Sequence, residues 1–360
     1  MSFARVGGRV RVLLGVLFTA ASASALAQGE SLNDALDGIR KQLSLPGAAA
    51  VVMRDGKVIA EGVTGLRRMG TDDKIQIDDR FAIGSCTKRM TGLMIARLID
   101  DGKLAFDVTL AKSLPDVPMR DEYRNVTLQQ LLTFTGGIPA YERIGPKLTP
   151  QLFDLEGSVA ERQAKFIRHL LQEQPAGPVG KDAVYSNASY ALAAHVAAKA
   201  AGKDYESLME EKVFRPLGLK RAGWGRPWQP DRTTEPWLHL AGPEGYVPEP
   251  DRVRPPEQIF QAAGNAHMSV RDLALFAQYE LNALQGRDNL LKPETSRRWH
   301  ANDRAGSEPV IRAGGTPALS ACYALWPKKN LLAVIAVNGG SPGDEACKAF
   351  VKRVSEKYAA

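Results

Sequence analysis

Strand-like sequence is confined to the two ends of this 360-residue chain, and that distribution restricts the fold more than any single motif does. After an amphipathic opening helix, SLNDALDGIRKQLS, the stretches GAAAVVMR and VIAEGVTG flank Asp55-Gly56, a signature of the tight β-hairpin turn. Near the other end PALSACYALWP and LLAVIAVNG read as strands, followed by a closing helix, DEACKAFVKRVSEKY. Between them the pattern is largely helical, in VTLQQLLTF, AERQAKFIRHLLQ, ASYALAAHVAAKAAG, YESLMEEKVF and VRDLALFAQYELNAL. Early strands, a helical middle and late strands imply an α+β fold: an antiparallel sheet flanked by helices, built from both chain ends, with an all-helical domain inserted. The expected boundaries are 28–105 with 295–360 for the sheet domain and 106–294 for the helical one.

The first 27 residues stand apart. Arg5, Arg9 and Arg11 precede an apolar stretch from Val12 to about Ala21, and Ala25-Leu26-Ala27 offers small residues for cleavage. This order describes a secretory signal peptide over residues 1–27, because the apolar run is too short to span a bilayer. A mature chain starting near Gln28 is expected to be periplasmic or secreted, with no integral membrane span. Loss of the three signal arginines lowers the formal charge from +7 to +4, and no lysine- or arginine-rich tract suggests nucleic acid as a partner. The remaining length suits one large two-part enzyme. Export implies an oxidising compartment, where three cysteines leave one over. A bridge between Cys322 and Cys347 is one pairing open to them, with Cys86 then left as the thiol; spacing alone does not place their Cβ atoms.

From Trp224 to Phe260 there are eight prolines and three of the five tryptophans, too many breakers for regular structure. The segment reads either as a rigid surface loop packed on the helical domain or as a rim around an active-site mouth. His169, His195, His239, His267 and His300 show no HExxH or other tight pairing, so no metal site is expected. His195, among alanines on a helix, reads as a core or boundary residue. No GxGxxG or phosphate-loop pattern occurs, and no cofactor is expected. Gly339-Gly340-Ser341-Pro342-Gly343 has the GxSxG spacing of a nucleophile elbow. An elbow, however, takes its acid and histidine from sequence after the serine, whereas the last histidine here is His300. Pro342 also lacks the N–H that would bind an oxyanion, so NGGSPGD reads as a turn and helix start.

GSCTKRM, residues 84–90, carries the stronger chemical signal. Met90, Leu93, Met94, Leu98 and Ile99, with Ile95, form the apolar stripe of a helix that Ser85 opens and Gly102 ends. A serine there can simply cap an orphan N–H. Lys88 adds more, since an ammonium one turn along lies close to the hydroxyl, and Ser85 is the only serine with a lysine three places on. Without a histidine, such a serine is activated by a nearby lysine, or by a tyrosine whose phenolate is favoured by positive charge. Two Tyr-x-Asn triplets are available, Tyr123-Arg124-Asn125 and Tyr185-Ser186-Asn187. Tyr123 lies in the charged stretch DEYRN, which reads as solvated. Tyr185 follows AGPVGKD at the entrance to an alanine-rich helix, where a side chain can face a cleft.

SCTK, then YSN, then a Gly-Gly-bearing turn between late strands resemble the serine β-lactamase and penicillin-binding protein family, in its class C-like branch, which also contains DD-peptidases and esterases. The resemblance extends over nearly all of the mature chain. LLTFTGGIP is similar to the family's segment after the nucleophile helix, VYSNASYALAAHVAAKAAGKDYESLMEEKVFRPLGL to its second motif and following helices, and AAGNAHMSVRDLALF to its Ala-Gly-Gly segment. The resemblance implies an active site at the junction of the sheet and helical domains. It implies that Ser85 is the acylated nucleophile, that Lys88 and Tyr185 share the proton traffic, and that Asn187 hydrogen-bonds Lys88 and the substrate amide. The oxyanion hole would comprise the backbone N–H groups of Ser85 and of Gly315 on the late strand. Substrate binding would also involve Arg312 and Gly314, in a third motif that departs from the family. Where relatives have Lys-Thr-Gly, placing a cation on the substrate's carboxylate, this chain has Arg312-Ala313-Gly314. Arginine keeps the charge but is longer and planar, and the threonine hydroxyl is gone. Phe134 stands where many relatives have histidine, and Tyr141 about where class C enzymes have a substrate-binding glutamine. The expected function is an exported serine hydrolase that cleaves amide or ester bonds of a small-molecule or peptidoglycan-like substrate through an acyl-enzyme on Ser85. The alternative is a non-catalytic penicillin- or cell-wall-binding protein of the same fold.

Overall fold

The computed structural model describes Met1 and residues 29–142, 149–228, 234–250, 258–301, 303, 308–340 and 345–360. The expected signal peptide, beyond Met1, and the serine of the GxSxG stretch lie outside the described residues. Eleven strands are present among them: β1 (Glu30–Ser31), β2 (Gly47–Arg54), β3 (Lys57–Gly65), β4 (Phe81–Ala82), β5 (Gly223–Trp224), β6 (His239–Gly242), β7 (Gly245–Pro248), β8 (Ala266–Met268), β9 (Val310–Thr316), β10 (Leu319–Trp326) and β11 (Leu331–Val337). Six form one sheet in the order β1-β3-β2-β11-β10-β9. Asp55 and Gly56 turn the β2–β3 hairpin with φ of 53° and 73°, the left-handed pair that a type I′ turn needs. The two chain ends meet where β2 pairs antiparallel with β11, from Ala48 opposite Val337 to Arg54 opposite Leu331.

Alternation along the strands divides the buried side chains between two cores. Ala48, Ala50, Val52, Ala333, Ile335 and Val337 pack with the terminal helices Asn33–Gln42 and Glu345–Tyr358. Ala49, Val51, Met53, Leu332, Val334 and Ala336 face the opposite way, onto a larger core that includes Met90, Leu93 and Met94 from helix Thr87–Asp100 and Leu273 and Phe276 from helix Val270–Leu284. Burial on both faces is why β11 reads as a continuous apolar run and not as an alternating one. Gly92 lets helix Thr87–Asp100 meet Trp299: a Cβ there would lie inside the indole ring.

Some details differ from expectation. β1 joins β3 in parallel, so the sheet is mixed at that edge. The stretch between the two halves of the sheet is helical in the main but contains β5 to β8. Two of these strands occur in the proline-rich segment, where β6 and β7 form a hairpin around Gly242 and Gly245. That hairpin meets the end of the main sheet: His239 bridges to Gly339, and the Tyr246 hydroxyl donates to Gly340 O. Gly314 and Gly315 belong to strand β9 and not to a turn. Tyr123 is buried, because a single helical turn directs its charged neighbours outward and the ring inward.

Cys322 on β10 is joined to Cys347 of the closing helix, and Cys86 is buried with its sulfur 3.7 Å from Ala321 O. Two other buried groups bear on acid stability. His239 accepts Met69 N–H at Nε2 (3.0 Å) while Nδ1 faces Asn338 O at 2.8 Å, an arrangement that requires neutral imidazole. His267, its Nδ1 3.0 Å from Gly225 O, is pushed down to about 4 by burial.

Two outcomes are expected. Thiol titration of the denatured protein should find one reactive thiol before reduction and three after, and replacing both Cys322 and Cys347 by alanine should lower stability by about 3 kcal/mol. Because folding lowers the pKa of His267 below its ordinary value, its contribution to stability is complete above about pH 6.5 and is lost as pH falls toward 4. A His267→Gln variant should show a shallower decline of its denaturation midpoint across that window, and equal slopes would refute the assignment.

Candidate active site

The peptide from Gly84 to Cys86 makes one tight turn before helix Thr87–Asp100, with Gly84 at φ 51°. Thr87 Oγ1 donates to Gly84 O at 2.7 Å and accepts from Ala266 N–H at 3.3 Å, tying the turn to β8. Ser85 is thus held at the start of the helix, where backbone N–H groups have no intrahelical acceptor. Lys88, one turn on, is 4% exposed. Its Nζ is 3.0 Å from Ser85 Oγ, 2.8 Å from Asn187 Oδ1 and 2.7 Å from Ala263 O.

The Tyr-Ser-Asn triplet supplies the facing side through a helix cap. Ser186, fully buried, accepts Ser189 N–H at 2.9 Å and donates to Pro139 O at 2.7 Å, beginning helix Asn187–Ala201. The residues on either side of the cap then point at one place. Tyr185 OH is 2.6 Å from Ser85 Oγ, and Asn187 Nδ2 donates to Tyr141 O at 2.9 Å while Oδ1 accepts from Lys88. Both ends of the asparagine amide are committed, which fixes its orientation. Phe134 and Tyr141 both adopt positive φ, 62° and 49°, a conformation that costs about 1–3 kcal/mol in a non-glycine residue. Each has a contact that uses it. The Phe134 ring lies 4.9 Å from that of Tyr185, and the Tyr141 carbonyl holds Asn187. The Tyr141 hydroxyl turns away to Glu173.

Burial sets the protonation of the pair. It pushes the Lys88 ammonium down to about 7, and it raises the Tyr185 phenol above its ordinary value against the opposing hydrogen bond with Ser85. Near neutral pH much of Lys88 is therefore amine, and Tyr185 is protonated. A neutral amine has two N–H groups, enough for Asn187 Oδ1 and Ala263 O, and its lone pair then faces the Ser85 hydroxyl.

Strand β9 closes the other side. A Cβ on Gly314 would overlap Ile83 O and Ser85 N, and one on Gly84 would come 3.1 Å from Gly315 N, so the strand and the Ser85 turn touch backbone to backbone. Arg312 shares the inward face with Gly314, and its guanidinium pairs with Asp303. The structure thus brings together Ser85, Lys88, Tyr185 and Asn187 by side-chain contact, with Gly314 and Gly315 against the Ser85 turn. Asp303 carries no sequence signal of its own, while the Ala263 carbonyl and the Phe134 ring behind Tyr185 lie in segments marked in the sequence only by resemblance.

Among curated proteins, the D-alanyl-D-alanine-carboxypeptidase/endopeptidase AmpH of Escherichia coli (strain K12) is 32% identical over 173 residues, 48% of this chain and 43% of that protein. Esterase EstB of Burkholderia gladioli is 28% identical over 250 residues, 66% of this chain and 60% of that one. The chain therefore matches less than two thirds of the length of either. Among solved structures, the octameric penicillin-binding protein homologue from Pyrococcus abyssi superposes with a TM-score of 0.71 at 19% identity, over 90% of this chain and 76% of that one, a likeness of fold. The family described as Beta-lactamase matches residues 32–355, and the chain belongs to that beta-lactamase family.

Proposed function

We propose that the protein is an exported serine hydrolase that cleaves an ester or amide through an acyl-enzyme on Ser85. The observation that carries this reading is the position of Ser85 Oγ between Tyr185 OH at 2.6 Å and Lys88 Nζ at 3.0 Å. Neutral Lys88 takes the Ser85 proton as Oγ bonds to the substrate's carbonyl carbon. The oxygen that becomes negative is received by the N–H groups of Ser85 and Gly315, donors of the kind worth about 2.7–4 kcal/mol each. When the tetrahedral intermediate collapses, the bond to the leaving group breaks and that group takes a proton from Tyr185, leaving a phenolate beside the Lys88 ammonium, whose Nζ lies 4.7 Å from the tyrosine ring. Water then enters by the reverse sequence and releases the acid. Asn187 keeps its second Nδ2–H for the substrate's amide carbonyl. Export is supported by the basic, apolar and small-residue order of residues 1–27.

The test pairs hydrolysis with covalent labelling. Purified protein should cleave a p-nitrophenyl ester and gain one phosphonyl group on treatment with a fluorophosphonate. Ser85→Ala should lose both, with turnover down by about 10³-fold or more. Undiminished hydrolysis by a Ser85→Ala variant with a native circular dichroism spectrum would overturn the proposal. A stable adduct on Ser85 without turnover of any ester would instead indicate the binding protein.

The pH profile follows from Lys88. As the base must be the amine, kcat/KM should rise with pH through an inflection near 7 and fall away below it. Lys88→Ala should cost about 10²- to 10⁴-fold and abolish that limb. A profile that is flat from about pH 6 to about pH 8 would exclude Lys88 as the group that titrates.

A further inference from the structure

Arg312 occupies the position at which the family's third motif offers a cation to the substrate, yet its charge is already matched. Asp303, 7% exposed, binds the Arg312 guanidinium through Oδ1. Through Oδ2 the same carboxylate accepts from Arg89 at 3.0 Å and lies 2.7 Å from His300 Nδ1. Arg89 in turn donates from Nε to Glu280 at 2.6 Å, and Glu280 accepts from the Tyr323 hydroxyl. The cluster is one continuous network with two partly buried guanidinium groups and two buried carboxylates, whose charges cancel. A substrate carboxylate placed against Arg312 would bring a third negative charge to a half-buried site, where unmatched charge is costly.

We propose that Asp303 is a specificity-determining residue: by neutralising Arg312 it sets the leaving-group side of the site for uncharged substrates, neutral esters and amides, over those with a free carboxylate. This rests on Ser85 being the nucleophile. The geometry gives Asp303 no contact with Ser85, Lys88 or Tyr185, so its effect falls on which substrate binds and not on the acylation chemistry. Loss of its charge leaves Arg312 as an unmatched cation on the face of β9 that carries Gly314, which is what a carboxylate-bearing leaving group requires.

The test uses two thioesters that share an acyl group: benzoylglycyl thioglycolate, whose leaving group ends in a carboxylate, and the same thioester methylated on that carboxylate. Thiol release reports both, and the ratio of their kcat/KM values within one preparation cancels any loss of folded enzyme. In the native protein the neutral thioester should be preferred. Asp303→Asn should raise the charged-to-neutral ratio roughly ten-fold, the worth of one charge-assisted hydrogen bond. Should that variant not fold, Arg312→Gln in the native background decides the matter: the ratio should stay within about two-fold whatever happens to absolute rates, whereas a ten-fold fall would show that Arg312 already reads the carboxylate and overturn the inference. An unchanged ratio in folded Asp303→Asn would overturn it equally. If the native enzyme releases thiol from neither substrate, the failure belongs to the Ser85 hydrolase reading.

Discussion

The structure depends above all on the burial of Lys88. A lysine with 4% exposure is costly unless its polar atoms are answered, and here the answers come from three separate segments: Ser85 of its own helix, Asn187 at the start of helix Asn187–Ala201, and the Ala263 carbonyl of the turn before β8. Each partner is held in turn. Asn187 is oriented by the Tyr141 carbonyl, and the Ala262–Ala263 turn is anchored by Thr91, whose hydroxyl donates to Ala262 O at 2.8 Å. Placing one amine between three segments distant in sequence is thus a folding constraint as well as a chemical device. It accounts for the costly conformations of Phe134, whose ring packs on Tyr185, and of Tyr141, whose carbonyl holds Asn187.

The sheet serves this arrangement by bringing β9 to the serine. β10 fixes β9 in antiparallel register, with Ser320 opposite Gly315 and Ala321 opposite Gly314, and β10 is itself positioned by β11 and by the bridge from Cys322 to the closing helix. The approach is so close that position 314 admits no side chain. The proposed backbone oxyanion site would cost little reorganisation at the moment of reaction, because the N–H groups of Ser85 and Gly315 belong to elements locked by the helix start or by pairing.

Much of this was legible in the sequence, for reasons that differ by residue. The β2–β3 hairpin announces itself because Asp-Gly is favoured where both turn residues need positive φ. Ser85 and Lys88 are legible because helical spacing alone brings them together. Tyr185 and Asn187 flank a capping serine, and a cap dictates local direction. Three things were not legible. Tyr123 has polar neighbours in sequence, and only tertiary packing reveals that a single helical turn separates them from the ring. β6 and β7 form despite the prolines around them because Pro248 ends a strand and Pro243 lies in the turn, where no ladder N–H is needed. Asp303 is remote from Arg312 in motif terms and pairs with it through contacts made across β9, Arg89 and His300, which no spacing rule contains.

The electrostatics also separate two roles that the motifs left joined. A tyrosine serving as base needs positive charge beside it to favour phenolate. Here the nearest cation, 4.7 Å from the Tyr185 ring, is Lys88, and burial takes that charge away at the pH where it would be needed. The same burial raises Tyr185, so the two shifts reinforce each other: each proton bound by the pair prefers the phenol, and the amine is the site left open. Since Arg312 is matched by Asp303, the cation on β9 does not restore the missing field. A serine between an open amine and a held phenol has its acceptor and its donor already distinguished before substrate arrives. Proton transfer can then run from Ser85 to Lys88 and from Tyr185 to the leaving group, with no phenolate needed before the serine attacks.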